Sequence, residues 1–587
     1  MSSIRFFFVL ALFVFPFSVF AQSNDEAIKE KLRQETAFLE QILADAKNLR
    51  LPENRAFIYA KVGNALWQTD EKRARAFFQN SIADLITAQT EAEAEKGKKQ
   101  YLNNLIYGQS PRWDILQTIA TRDAEFALDA MLKTRPVKIA QAISNLTGNY
   151  QSQSQRYAQN EIHSEQRIIA MVVEQNPQRA AKLLRESLKK EVSYDTVNLL
   201  RKIHQKDPVT ANEIAEAVGQ KLLDTKLDEY NQDSSFLQNF LVEFGQVKTQ
   251  ETPAMLKISD RMLRDLADKL VKFMLRPNAT SFYTNPSALK VLERFSPASI
   301  AQIMQKKTKF ENQNGQSESF NKLMQGEASS EELLSQADKY PASYRNQIYR
   351  RAAEKTAQSG NVPEAQKIIT TNMSEEEAES YLSHFYYNLA TQAISQAKFN
   401  EANQFINQVS DENTRMNALI YLATSIYEKA PQENQKWAAN VLDQARAFIP
   451  NVTETTSEMN FLAQIAAAYA HIDTPEAFRL IESMTAPLNE YSEASAVVAK
   501  FSDYGNFRRG EYQISTGSLP FAYNLTNVLQ KLKNKDFDRT LQFINGFNRL
   551  DTRIGLQIQL IDLSFSNSSI QNLPMHGRRF SSLEILR

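Results

Sequence analysis

Residues 197–218 read VNLLRKIHQKDPVTANEIAEAV. Leu199, Leu200 and Ile203 form one apolar face at steps of three and four, and Ala211 and Ile214 begin another beyond Asp207-Pro208. That periodicity predicts two amphipathic helices, and the corner between them carries its own start signal. A short polar side chain at a helix N-cap accepts hydrogen bonds from amides that the first turn leaves unpaired, and proline is tolerated at the next position because its missing N–H is one of those orphans. The alanine four residues after the cap falls in the first turn, where a small side chain lets two helices approach closely.

The same corner recurs along the chain. It stands at Asp70/Ala74, Asp123/Ala127, Asn176/Ala180, Asp207/Ala211, Asn361/Ala365 and Asp473/Ala477, with Lys398/Ala402 as a variant. Each lies between two apolar-periodic segments, as in 56–85, where Phe57, Ala60, Ala65 and Leu66 precede the corner and Phe77, Phe78, Ile82 and Leu85 follow it. The step from Asn361 to Lys398 falls in the thirties, the period of a stacked helix-turn-helix array.

Composition points the same way. Glycine numbers only 15 of 587 residues, which leaves few tight hairpin turns and few phosphate-cradling loops. Cysteine is absent, so disulfides, thiolate metal sites and a cysteine nucleophile are excluded. Lys plus Arg and Asp plus Glu are equal at 68 each, so no strong field steers the chain toward nucleic acid or anionic lipid. The expected fold is all-α: an irregular α-solenoid of stacked helix-turn-helix pairs, arranged in two arrays.

At the N-terminus, Arg5 precedes the run Phe6 to Phe20, whose only polar member is Ser18, and Val19-Phe20-Ala21 stands before Gln22. These are the three parts of a secretory signal, which predicts cleavage between Ala21 and Gln22. The run is shorter than the roughly 20 apolar residues of a membrane span, and no later segment reaches that length. The expectation is an exported bacterial protein, periplasmic or secreted, with no span in the mature chain.

One region resembles a named family. Tyr349, Ala352, Ala353, Gly360, Asn361 and Ala365, followed by Tyr386, Leu389, Ala390, Ala393, Phe399, Ala402 and Ile406, resemble two consecutive tetratricopeptide repeats. Phe461, Ala468, Asp473, Ala477 and Ile481 resemble a further one. The resemblance covers 343–487 and lacks the family's complete tryptophan, leucine-glycine, tyrosine and final proline set. It implies partner binding rather than catalysis.

The resulting layout is a signal at 1–21, an irregular helical-repeat domain at 22–310, a polar linker or loop at 311–331, tetratricopeptide-like repeats at 332–501, a glycine-containing loop at 502–520, helices at 521–563 and a polar tail at 564–587. A longer amphipathic helix is expected over 252–275.

Chemistry-bearing motifs are sparse. The five histidines, His163, His204, His384, His471 and His576, show no metal-ligand spacing, and no serine-hydrolase elbow, P-loop or dinucleotide fingerprint occurs. No cofactor or metal is expected. Trp67, Trp113 and Trp437 read as packing residues, and Glu375, Glu376 and Glu377 after Ser374 as helix-start electrostatics. Arg508 and Arg509 in the glycine-containing loop are candidates for contact with an anion or acidic peptide. The leading function is an exported scaffold or adaptor that binds a protein or peptide in the cell envelope. Two other readings stay open: an all-α enzyme acting on envelope polysaccharide through paired carboxylates, and a structural envelope component without a discrete site.

Overall fold

The computed structural model describes residues 33–94, 111–145, 153–227, 233–245, 256–276, 286–313, 315–450, 453, 455–499, 501, 507–514 and 522–564. The expected signal with its Ala21–Gln22 junction, the tail beyond Ser564 and much of 502–520 lie outside the described residues. The chain is all-α, with one two-stranded hairpin among the described residues.

Each polar corner starts a helix. The Asp70 carboxylate accepts from the Arg73 amide at 3.0 Å, Asp123 from Phe126 at 2.9 Å and Asn176 from Arg179 at 3.1 Å. Asp207 accepts from Thr210 at 3.1 Å, while Asn361 and Asp473 accept from Glu364 and Glu476 at 3.2 Å each. Lys398 makes no side-chain cap. Ala74, Ala127, Ala180, Ala211, Ala365, Ala402 and Ala477 are all fully buried against the paired helix. A further corner escapes the sequence pattern: Asp536 caps Arg539 at 2.9 Å, and its fourth-following residue is the buried Thr540.

The helices stack in chain order, each pair on the next. Pro52–Leu66 packs on Glu71–Ala94 and Pro111–Ala120; Gln153–Gln175 packs on Pro177–Leu188 and Asp195–Lys206. The stack continues through Pro208–Asp224, Asp260–Met274, Pro286–Phe295 and Pro297–Gln313 to Ala342–Gln358 and Glu375–Ser395. Helix Glu412–Lys429 then leads through Thr456–Ile472 and Ala522–Lys533 to Leu550–Ser564, which packs back onto Pro52–Leu66. The circuit of neighbours therefore returns to its start. An open solenoid needs polar caps on its two ends; here Leu550–Ser564 and Pro52–Leu66 cover one another.

Lysines reinforce the stack in its first half. The last carbonyls of a helix have no intrahelical donors and attract cations. Lys221 Nζ donates to the carbonyls of Leu188 at 2.6 Å and Lys190 at 3.1 Å, closing the end of Pro177–Leu188. Lys269 does the same for Pro208–Asp224 through Leu222 at 2.8 Å, Leu223 at 2.6 Å and Thr225. Lys306 closes Asp260–Met274 through Met274 at 3.0 Å and Arg276. Each lysine thus ties its helix to the preceding second helix of the stack.

Two segments differ from the sequence reading. Helices Pro297–Gln313, Gly315–Gln325 and Ser330–Gln336 fill most of the polar stretch expected as a linker at 311–331. There, Phe320 and Leu333 are buried, and Leu323 and Met324 pack beside them, enough to seat a mostly polar helix on its neighbours. The amphipathic helix begins at Asp260, where the Ser259 hydroxyl accepts from the Met262 amide at 3.3 Å, rather than near 252.

Residues 343–487 repeat their turns as well as their corners. Gly360 has φ +93° and Ala397 has φ 57°, each one residue before a helix N-cap. Left-handed backbone favours glycine over any residue with a Cβ, and no neighbour lies within 4 Å of a Cβ built on Gly360. Thermal unfolding is therefore expected to show opposite signs at equivalent positions: Gly360→Ala lowers stability by about 1 kcal/mol and Ala397→Gly raises it by a similar amount.

Candidate functional site

The surface that packing leaves unused is clearest on two neighbouring helices, Glu375–Ser395 and Glu412–Lys429. On Glu375–Ser395 the core takes Tyr381, Phe385, Tyr386 and Ala390, and the opposite face exposes Glu376, Ser380, His384, Asn388 and Gln392 at strict four-residue steps. On the neighbouring Glu412–Lys429 the core takes Met416, Leu419, Leu422, Ala423 and Ile426, leaving Asn413, Asn417 and Tyr421 exposed at the same step. Residues four apart share one helix face, so each helix carries a continuous outward stripe. The stripes are rich in amide, imidazole, hydroxyl and phenol groups, which both donate and accept hydrogen bonds. His384 stacks on Tyr387 at 6.4 Å and belongs to this exposed face rather than to the aromatic core beneath it. Ser374 caps Glu377 at 3.4 Å, which leaves Glu375 and Glu376 in the first helical turn.

Arg508 and Arg509 lie elsewhere, in the hairpin that contacts Pro52–Leu66 and Leu550–Ser564. Strands Phe507–Arg508 (β1) and Glu511–Tyr512 (β2) pair antiparallel around Arg509 and Gly510, both at positive φ as a two-residue turn demands. Arg508 is 2% exposed, and its Nη1 meets both oxygens of the buried Glu53 at 3.2 Å. Its Nη2 reaches Glu91 at 3.3 Å, and Arg509 reaches the same carboxylate at 2.7 Å. The anions these arginines meet are thus the chain's own.

Glu511 faces the start of Pro52–Leu66, whose N-cap Leu51 has no capping side chain. Its carboxylate accepts from the amides of Arg50 at 2.6 Å and Leu51 at 3.2 Å and from Asn54 Nδ2 at 2.7 Å. Burial pushes the Glu511 carboxyl above its ordinary range, and the nearby Asp551 charge adds to that against the three donors. The buried Asn54 amide also donates to the Tyr512 carbonyl and accepts from the Ile514 amide, each at 2.7 Å. Asp551 accepts from the Tyr512 amide at 2.5 Å and from Arg549 at 2.6 Å. Partners some 460 residues apart in sequence leave no local signal for this junction.

The remaining sequence candidates are structural. Trp67 stacks on Phe78 at 5.6 Å under the Arg75 guanidinium, Trp113 carries Arg167 at 5.3 Å, and Trp437 meets the edge of Phe399 at 5.8 Å while staying 37% exposed. Burial lowers the pKa of His163 and of His471. No group of three or more potential ligands able to hold a metal occurs among the described residues. A cavity of about 590 Å³ beside the end of Pro208–Asp224 mixes Asp224, Asp265 and Asp268 with Lys226, Lys269, Lys272 and Arg276.

Asp114 stands apart. Its Oδ2 has no hydrogen-bond partner among the described residues, and burial, opposed by the Lys61 charge, pushes its carboxyl up to about 6. A carboxyl that holds its proton more tightly when folded makes the protein less stable as pH rises from about 4 to 6. Asp114→Asn is expected to raise stability at pH 7 by on the order of 2 kcal/mol and to leave it unchanged at pH 4, as read by thermal melts at the two values.

The corners, stacked pairs and outward stripes define an all-α helical-repeat protein. No family model matches the chain, and no curated protein matches it. Among solved structures, one match is a circular tandem repeat protein with novel repeat topology and enhanced subunit contact surfaces. Identity is 11% and the TM-score 0.13, over 90% of this chain and 96% of that one. Among the described residues, no helix is long and apolar enough to cross a membrane.

Proposed function

We propose that the chain is an exported helical-repeat scaffold or adaptor of the cell envelope, and that its tetratricopeptide-like region, within 332–501, holds a protein or peptide partner. The observation that supports this reading is the pair of stripes on Glu375–Ser395 and Glu412–Lys429. Tyr421 is 46% exposed at the C-terminal end of its stripe, an amphipathic anchor of the kind that dominates interface energies. The side-chain amides of Asn388, Gln392 and Asn417 can pair with the alternating donors and acceptors of an extended peptide backbone. Helical repeats present such surfaces from rigid elements, with no ordering cost in the scaffold.

Crosslinked capture with the full-length protein in its native host tests this. Wild type is expected to recover a stoichiometric neighbour, and the combined variant His384→Ala, Asn388→Ala, Asn417→Ala, Tyr421→Ala to lose it. Each change alone should leave folding stability within about 0.5 kcal/mol, since these positions are on the surface. Recovery of the same neighbour by the variant would refute the assignment.

A further inference from the structure

The N-terminal and C-terminal helices of the described stack meet through an interface that does not require them to belong to one molecule. One side carries Phe38, Glu53 and Asn54; the other carries Arg508, Glu511, Tyr512 and Phe537. Phe38 and Phe537 meet edge to face at 5.5 Å, and the Glu53–Arg508 pair is buried at 0% and 2% side-chain exposure. We propose that this junction is an exchangeable interface whose second partner is another copy of this chain: when closure within one copy is weakened, two copies close head to tail.

Three physical points carry the proposal. The two faces are different surfaces, so the contact is heterologous, and such contacts form rings when the geometry closes. A closed chain holds its own two ends at a high effective concentration, which favours closure within one copy as long as the contact is intact. Opening uncovers apolar surface where Phe38, 8% exposed, meets Phe537, and uncovered apolar patches of this kind drive association. The buried ion pair adds selectivity, because two like charges at its positions repel each other in the desolvated interior.

Charge reversal gives a direct test. Glu53→Arg in one chain opposes Arg508 within that chain, and Arg508→Glu in another opposes Glu53 there. When the two chains are mixed, both intermolecular junctions regain opposite charges. Light scattering on a sizing column is expected to show a 1:1 species of twice the monomer mass in the mixture, and a monomer when both substitutions are placed in one chain. Far-UV circular dichroism tracks folding throughout. If either single variant is unfolded alone, recovery of helix and doubled mass on mixing supports the proposal. The proposal is overturned if the mixture stays monomeric with helix intact, stays unfolded, or associates no differently from either single variant.

Discussion

Arg112→Ala is expected to destabilise the protein by about 3–5 kcal/mol, read as a lower denaturant midpoint with unchanged slope. Arg112 and Glu161 are 6% and 7% exposed at the side chain and meet in a bidentate pair at 2.9 and 2.8 Å. The guanidinium also donates to Thr134 Oγ1 at 3.0 Å and to the Met131 carbonyl at 2.8 Å. Arg135 bridges Glu161 at 3.1 Å to Glu165 at 2.6 Å, and Lys190 completes the seam on Glu165 at 2.8 Å. Truncation leaves a carboxylate in the interior without its main partner, and that desolvated charge is the source of the cost. Replacing both members, as Arg112→Met with Glu161→Leu, is expected to cost far less than either single truncation, because no charge is stranded.

The same seam sets a pH dependence. Burial pushes the Glu161 carboxyl up, but Arg112 and then Arg135 pull it further down, and the net direction is below its ordinary value of 4.5. A depressed carboxyl contributes stability that is present above its unfolded pKa and is lost as pH falls through the folded one. Wild type is thus expected to lose stability below about pH 4.5, and Glu161→Gln to flatten that limb.

Asn54→Leu is the second large effect, expected at about 2–4 kcal/mol. The substitution leaves the Ile514 amide and the Tyr512 carbonyl without their side-chain partner and removes one donor from Glu511. Each buried polar group left unpaired costs on the order of 1–3 kcal/mol. The loss is expected at the junction: hydrogen exchange should quicken in Pro52–Leu66 and in the hairpin, while Asp260–Met274, which packs on Pro208–Asp224 and Pro286–Phe295 midway along the circuit, keeps its protection. Uniform acceleration across both would show that the junction is not a separate contact.

Local chemistry was legible in the sequence, and closure was not. Asp123 with Ala127, or Asp207 with Pro208 and Ala211, announces a helix start because the cap and the close approach are decided within five residues. Asp536 escaped because Thr540 fills the alanine's place. The stripe on Glu375–Ser395 could have been found by marking the residues complementary to Tyr381, Phe385 and Ala390, but without the neighbouring Tyr421 it reads as ordinary solvated surface. Lys221, Lys269 and Lys306 look like surface cations until the carbonyls of the preceding helix are in place. Arg508 gave no sign of its burial, since its partner Glu53 enters the chain 455 positions earlier.

The stack of helix pairs returns to its own beginning, where Leu550–Ser564 packs on Pro52–Leu66. The absence of cysteine allows a clean pair of labels at the exposed positions Gln41 and Asp538, close in sequence to the touching Phe38 and Phe537. Dipolar spin-label spectroscopy on the Gln41→Cys, Asp538→Cys protein is expected to give a single distance below roughly 30 Å. An open stack of about a dozen pairs at ~9 Å between neighbouring axes would separate the ends by ~100 Å, and a distribution centred beyond about 60 Å would contradict closure.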